Sequence, residues 1–384
     1  MKQTWKAALA GCMLLFVCGC WDVKNIQYFN FINMIGVDYV DGQYRIYAQI
    51  NELSSMAKQE GGPAAPNPVV VGKGEGVSIE LAMYDLRKES QMRTDWTQNK
   101  VFFFTDRLLE KGVFDIHDEL MRTRDQRYTP WVFATNEDLA KVFSTKPITG
   151  TSPVNTMYFQ PNLLYKQMQS SFKPVSYQSF VRSSSEPYET SLLDHVGLSE
   201  NWDKDGKPIT LPIVNGLVAL RNGKSQARFS REEVSGVKWL NEKTSRGILP
   251  LRGDKGTYYG TVAVKDNKLK KKPAYKNGKR TVQLYLSLDA DMREQKLAFG
   301  LEQANALIKK NIEDEITQTY ENGKKRAVDI YSLNEVWYRK GLAVNNDIPG
   351  LELHVNVKLV GTNMFELRER SNEDGHRNQI GGSP

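Results

Sequence analysis

The three thiols of this 384-residue chain all lie within its first twenty residues, at Cys12, Cys18 and Cys20. Lys2 and Lys6 precede an apolar run from Ala7 to Val17, and Val17-Cys18-Gly19-Cys20 follows it. Cations, a short apolar stretch and a small residue before a cysteine form the pattern of a secretory signal. The run is shorter than the roughly 20 apolar residues that cross a bilayer. Val17, Cys18 and Gly19 read as a lipobox, so Cys20 is the expected site of lipid attachment. Its thiol takes a diacylglyceryl group, and its amino group is acylated once the leader is removed. Leu9-Ala10-Gly11-Cys12 is a competing lipobox by residue type. Its apolar stretch of Ala7 to Ala10 is below the roughly 7–15 residues such a region needs. Two acyl chains, at about 0.8 kcal/mol per buried methylene, hold a protein stably on a membrane.

Other candidate chemistry is sparse. The four histidines, His117, His195, His354 and His376, are too far apart in sequence to suggest a metal pair. His117, among Asp115, Asp118 and Glu119, reads as part of a solvated helix face. His354 alternates with apolar neighbours and reads as facing solvent. Gly72-Lys73-Gly74-Glu75-Gly76 precedes a helix but fits neither the dinucleotide fingerprint nor a P-loop. It reads as a flexible hinge. Asp289 and Asp291 fall on one side of an extended segment, where a strand-end turn is the plain reading and a carboxylate pair the alternative. No Gly-x-Ser-x-Gly nucleophile elbow is present. The densest charge is Lys265, Lys268, Lys270, Lys271, Lys272, Lys276, Lys279 and Arg280, which reads as a basic loop over 265–280. A solvated hairpin tip is its default reading and contact with anionic headgroups the alternative. Tyr275 is its one aromatic, so nucleic-acid stacking is not expected. These residues imply no catalytic centre, metal or cofactor.

Apolar content of 40% and charge of 25% are ordinary for a globular protein of two or three domains. With Cys20 modified, the mature chain holds no disulfide and no catalytic thiol. The formal charge of +7 falls to +5 when Lys2 and Lys6 leave, an excess that suits anionic lipid better than nucleic acid.

The elements that would position these residues follow from periodicity. Ile32 to Asp38 and Tyr44 to Leu53 form a predicted hairpin around Asp41-Gly42, with alternation giving one buried face. Ser54 to Gly76 reads as a mobile loop with an edge strand at Val69 to Val71. A helix is predicted from Ser78 to Ser90, a strand from Lys100 to Thr105, and a broken helix from Leu108 to Arg122. Trp131 to Thr135 is a strand, after which Asn136 caps a helix. Phe159 to Phe180 suits a helix, and Arg182 to Pro187 an exposed turn. The polar segment Trp202 to Pro208 is the candidate boundary. Beyond it come strands at Ile213 to Arg221, Lys224 to Phe229, Gly256 to Lys265 and Arg280 to Asp289. A stripe of Leu297, Leu301, Ala304, Ile308, Ile312 and Ile316 predicts a long helix over 294–322 that Gly323 stops. A short strand at Ala327 to Ile330, a helix at Ser332 to Lys340 and a strand at Glu352 to Val360 complete the pattern. The fold class is α+β, multi-domain, with antiparallel or mixed sheets and helices packed on them. The expected division is a signal peptide at 1–19, an N-terminal α+β domain at 20–203 with its loop at 54–76, a C-terminal α+β domain at 204–370, and a disordered tail at 371–384.

Cys20-Trp21-Asp22 followed by Ile35-Gly36-Val37-Asp38 resembles the start of the Ger(x)C family, the C subunits of spore germinant receptors. Gly74 to Ala82, then Leu108 to Trp131 with Arg124-Asp125, is similar to the family's next segments. Pro212 to Leu220 with Val237 to Leu240 is similar to the opening of its C-terminal domain. Val328-Asp329-Ile330-Tyr331-Ser332-Leu333 after the long helix is similar to its closing signature. The resemblance spans about residues 20 to 361 and implies a non-catalytic lipoprotein on the outer face of the inner spore membrane. It implies assembly with membrane-embedded A and B subunits in a complex that answers nutrients. Contact of this subunit with the nutrient is left open.

Two other classes fit less well. A solute-binding lipoprotein of an uptake system would alternate strand and helix regularly, and a surface hydrolase would need a convergent site. Intact-mass spectrometry of the protein extracted from membranes is expected to show the lipid on Cys20. Lipid on Cys12 with Cys20 free would contradict the assignment.

Overall fold

The computed structural model describes residues 28–51, 69–122, 126–148, 156–167, 172–240, 247–297 and 299–361. Strands β1 (Phe29–Val40) and β2 (Gln43–Asn51) form the first hairpin. Asp41 and Gly42 close it with φ of 52° and 79°. Two positive φ values define the turn type whose twist matches paired strands. Strand β3 (Val69–Gly76) adds to β2 as the sheet's edge. The glycine segment expected to be a hinge is therefore strand. A Cβ at Gly74 would lie 2.2 Å from the Ala82 carbonyl oxygen, so glycine lets helix α1 (Ile79–Glu89) lie directly on β3.

On the other side of β1 the sheet continues through β5 (Val101–Thr105), β6 (Trp131–Thr135) and β8 (Ser191–Lys204), each parallel to its neighbour. Strands β9 (Lys207–Arg221) and β10 (Lys224–Ser230) follow as antiparallel hairpins. Short strands β4 (Arg93–Asp95) and β7 (Val175–Ser176) pair with β1 and β6 and make ten among the described residues. The centre is thus parallel with helical crossovers and the flanks are antiparallel, a mixed sheet within the expected α+β class. Asp205-Gly206, within the segment expected to divide the two domains, closes the β8–β9 hairpin, so the sheet carries on beyond residue 204.

Helices cover both faces. α1, α2 (Asp106–Lys111), α3 (Phe114–Arg122) and α6 (Tyr177–Ser185) close over Ile35, Val37, Phe102 and Phe104. α4 (Leu139–Phe143) and Tyr158 close over Met34, Phe103 and Phe133. All five residues of β5 are buried for this reason. So are Tyr47 and Gln49 of β2, which the alternation assigned to an exposed face. Asp138, rather than Asn136, caps α4 by accepting from Lys141 N–H. Within the predicted helix from Phe159 to Phe180, the described residues hold α5 (Pro161–Gln167), strand β7 and the first turn of α6. Arg182 to Ser185 belong to α6, and Ser183 and Ser184 are buried.

The second sheet has the order β11 (Gly247–Arg252), β12 (Tyr258–Lys276), β13 (Lys279–Gln295), β14 (Gly350–Gly361). The expected basic loop is strand: Lys265 to Lys276 pair along β13, and the turn is Asn277-Gly278. Helix α7 (Leu301–Lys325) then crosses back to β14, which lies parallel to β13. It starts seven residues later than the stripe suggested, because Glu294 and Gln295 end β13. It also passes through Gly323. There a Cβ would lie 2.8 Å from the Val328 carbonyl oxygen, so the residues after the helix fold back over it. Ala327 to Ile330 form that return turn and not a strand, with Val328 N–H donating to Gly323. Helix α8 (Leu333–Tyr338) follows.

Ala304, Ile308, Ile312 and Ile316 are fully buried against Val262, Val282, Leu284 and Leu286. Leu297 and Leu301 are exposed at 40% and 48%. Ile312→Ala is expected to destabilise the protein by about 2–5 kcal/mol. Leu301→Ala should stay within about 0.5 kcal/mol of the parent. Equal effects of the two substitutions in denaturant titrations would contradict this placement of the stripe.

Candidate functional site: buried polar clusters and a lysine-rich sheet face

Val17, Cys18, Gly19 and Cys20, and the competing Cys12, lie outside the described residues. So do Arg124-Asp125, the loop at 54–68, and the tail at 371–384. Among the described residues no helix is long and apolar enough to cross a membrane. Nor are three or more His, Cys, Asp or Glu side chains grouped there to hold a metal ion.

The buried polar side chains fasten elements to one another. Asp38, at the end of the Ile35-Gly36-Val37-Asp38 segment, accepts from Thr105 Oγ1 at 2.5 Å and from Arg107 at 2.6 and 3.1 Å. Burial alone would raise its pKa, but the Arg107 guanidinium and the Thr105 hydroxyl outweigh it and hold the carboxyl below its ordinary value. This clasp ties β1 to the turn from β5 into α2. Helix α2 makes a second tie through Asp106, whose carboxylate lies 3.4 Å from His195 Nε2 and 3.3 Å from Arg228. His195 Nδ1 meets Asn215 Oδ1 at 2.7 Å. His117 is not on a solvated face: its ring meets Tyr177 Oη at 2.9 Å beside Tyr128.

A third cluster joins the two sheets. Asp329 accepts from the backbone N–H groups of Leu333 and Asn334, both at 2.8 Å, and so caps α8. Thr190, just before β8, donates its hydroxyl to the Asp329 carbonyl at 2.7 Å and its N–H to Ser332 Oγ at 2.9 Å. Lys271, facing inward from β12, donates to the Tyr331 carbonyl at 2.8 Å. Burial pushes the Asp329 carboxyl up and the Lys271 ammonium down. Arg182 and Glu189 form a two-bond pair at 3.0 and 3.1 Å beside this joint. They stand at the rim of a cleft of about 240 Å³ that Phe172, Leu192, Leu217 and Val237 also line. The segment from Val328 to Leu333 thus has a structural task that its sequence did not reveal. Asp194, His195 and Thr190 fall in or beside β8, a stretch without strong periodicity.

The other face of the second sheet is open and polar. Lys265 pairs with Asp291, so the two aspartates do not form a carboxylate dyad. Lys268, Lys270 and Lys272 are exposed along β12 opposite Ser287, Tyr285 and Gln283. His354 of β14 faces solvent and stacks on Tyr285 with ring centroids 4.6 Å apart.

This geometry defines a scaffold: two sheets fastened by polar clasps, with its most concentrated charge on one sheet face. Residues 22–197 match the family model described as spore germination protein N-terminal domain. Residues 215–360 match the model described as spore germination B3/GerAC like, C-terminal. The chain belongs to the Ger(x)C family and has a role in spore germination. It is similar to spore germination protein KC of Bacillus subtilis (strain 168), 23% identical over 358 residues, covering 87% of this chain and 88% of that one. Spore germination protein B3 of the same organism is 24% identical over 294 residues, covering 73% and 72%. The fold is similar to that in the crystal structure of the GerBC protein, with a TM-score of 0.51 at 16% identity, covering 86% and 97%.

Asp194 supplies a test of the buried interior. It is fully enclosed, and burial raises its pKa to about 7. A carboxyl whose pKa is raised by folding stabilises the protein below its unfolded pKa of about 3.9, and that stability is lost as pH rises through the folded value. Melting temperature should therefore fall between about pH 4 and pH 7 in the parent, and this component should vanish in Asp194→Asn. A variant with the parent's full pH dependence would show that Asp194 does not titrate in this way.

Proposed function

We propose that this chain is a non-catalytic, lipid-anchored subunit of a nutrient-responsive receptor complex in the inner spore membrane, held on its outer face through Cys20. Its partners are the membrane-embedded A and transporter-like B subunits. The observation that carries this reading is the order of the matches, with the N-terminal family domain starting at residue 22, just after the lipobox cysteine, and the C-terminal domain following it. The polar clusters agree with it, since Asp38, Asp106 and Asp329 each spend their charge on a neighbouring element. Two fastened sheets make a stiff body that can present surfaces to partners. The acyl chains bring it to the membrane, and the fold supplies the rest of the contact.

The experiment is affinity purification of the tagged full chain from mild-detergent extracts of spore membranes, paired with nutrient-triggered germination of spores lacking the gene. Two integral-membrane proteins should co-purify in constant ratio, and germination should slow severalfold. Normal germination to every nutrient, with the protein purified alone, would overturn the reading. Large thermal stabilisation of the chain by one amino acid or sugar would instead favour a solute-binding lipoprotein.

A further inference from the structure

We propose that the open face of the second sheet is a docking surface for an anionic phospholipid bilayer, so that the body lies on the membrane instead of hanging from its tether. The inference deepens the anchored reading above and rests on it only for the direction from which the membrane is met.

The four strands β11 to β14 have one apolar face, closed by α7 and the core around Val282, Leu284 and Leu286. The pleat sends every second side chain to the opposite face. There β12 presents Lys265, Lys268, Lys270, Lys272 and Lys276, β13 presents Lys279 opposite Lys276, and β14 presents Lys358. Lys268, Lys270, Lys272 and Lys358 are exposed. Among the described side chains, the carboxylates on the same face are Asp289, Asp291 and Glu352, with Glu294 at its far end opposite Thr261. Asp291 is engaged by Lys265, and Glu352 lies 3.4 Å from Lys276. The face therefore carries an excess of three positive charges, concentrated in the row Lys268, Lys270 and Lys272.

The composition favours headgroups over an acidic protein. Protein interfaces are depleted of lysine and centre on buried apolar anchors. Between the lysines this face offers Ser287, Gln283 and Asn356, with the Tyr285–His354 stack at its centre. Ammonium groups on flexible stems suit a fluid layer of phosphates, since each reaches its own partner without fixed geometry. Alternate residues on a strand stand about 6.8 Å apart, so three lysines in a row reach separate headgroups. Their stems also keep the charge at the water boundary while the sheet stays above it.

The test is lysine acetylation footprinting of the full chain on phosphatidylcholine vesicles with and without phosphatidylglycerol, read by mass spectrometry. Lys207 and Lys224, exposed on the other sheet, serve as internal references. Lys268, Lys270 and Lys272 should be protected severalfold only on phosphatidylglycerol vesicles. Raising salt to 1 M, where the Debye length is about 3 Å, should restore labelling. Replacing all three by Gln should weaken the phosphatidylglycerol-dependent part of vesicle binding roughly a hundredfold, from about 1 kcal/mol per cation. A circular dichroism spectrum and melting temperature matching the parent would show that the variant folds. Equal labelling on both vesicle types would overturn the inference. Protection that arises only when spore membrane proteins are added would overturn it too and assign the face to a protein partner. Pelleting with neutral vesicles reports the acyl anchor separately. A chain that fails to pellet there but shows protected lysines on anionic vesicles would contradict the anchor and support the face.

Discussion

Strand β9 must satisfy two cores at once. Leu217 and Ala219 pack into the cluster that contains Trp239, Leu284 and Ile312, whereas Val218 and Leu220 pack into the cluster around Phe102 and Leu193. Alternation along five buried residues makes this possible, because successive side chains of a strand leave on opposite faces. The large sheet and the second sheet therefore share side chains instead of meeting through a flexible link. Phe229 of β10, opposite Leu217, extends the shared core toward Val237 and Trp239.

The polar joint around Asp329 depends on that arrangement. Its groups are desolvated, so each must find a partner or destabilise the fold. Asp329 meets two backbone donors, Lys271 meets a carbonyl, and Thr190 reaches across from the start of β8. Those bonds form only if β8 and β12 are already held at the right distance, which the apolar contacts of β9 ensure. A fixed relation between the sheets then gives the lysine face a defined orientation relative to the N-terminal hairpin.

Much of this was legible in the sequence. The Asp41-Gly42 hairpin, the broken helix at Gly112 and the Ile308–Ile316 stripe followed from turn chemistry and periodicity. The motifs at Ile35 to Asp38 and Val328 to Leu333 carried the family resemblance by residue type and order. Other features were hidden for physical reasons. Strand β8 holds Asp194, His195 and Gly197 among its buried residues, so hydropathy alone does not mark it. In β12 the lysines alternate with Leu269 and Pro273, and the density of charge masked a regular pleat. The glycines of β3 looked like a hinge because sequence shows the missing Cβ but not the helix lying against it. The lipobox is read from residue types and spacing alone, since Cys20 lies outside the described residues.

The shared core is tested most directly by differential scanning calorimetry of the full chain and of Leu217→Ala. If β9 couples the sheets, each protein will show one transition with equal calorimetric and van't Hoff enthalpies, and the substitution will lower the whole transition. Two separable transitions, with Leu217→Ala moving only one of them, would show that the sheets unfold independently and would contradict the account.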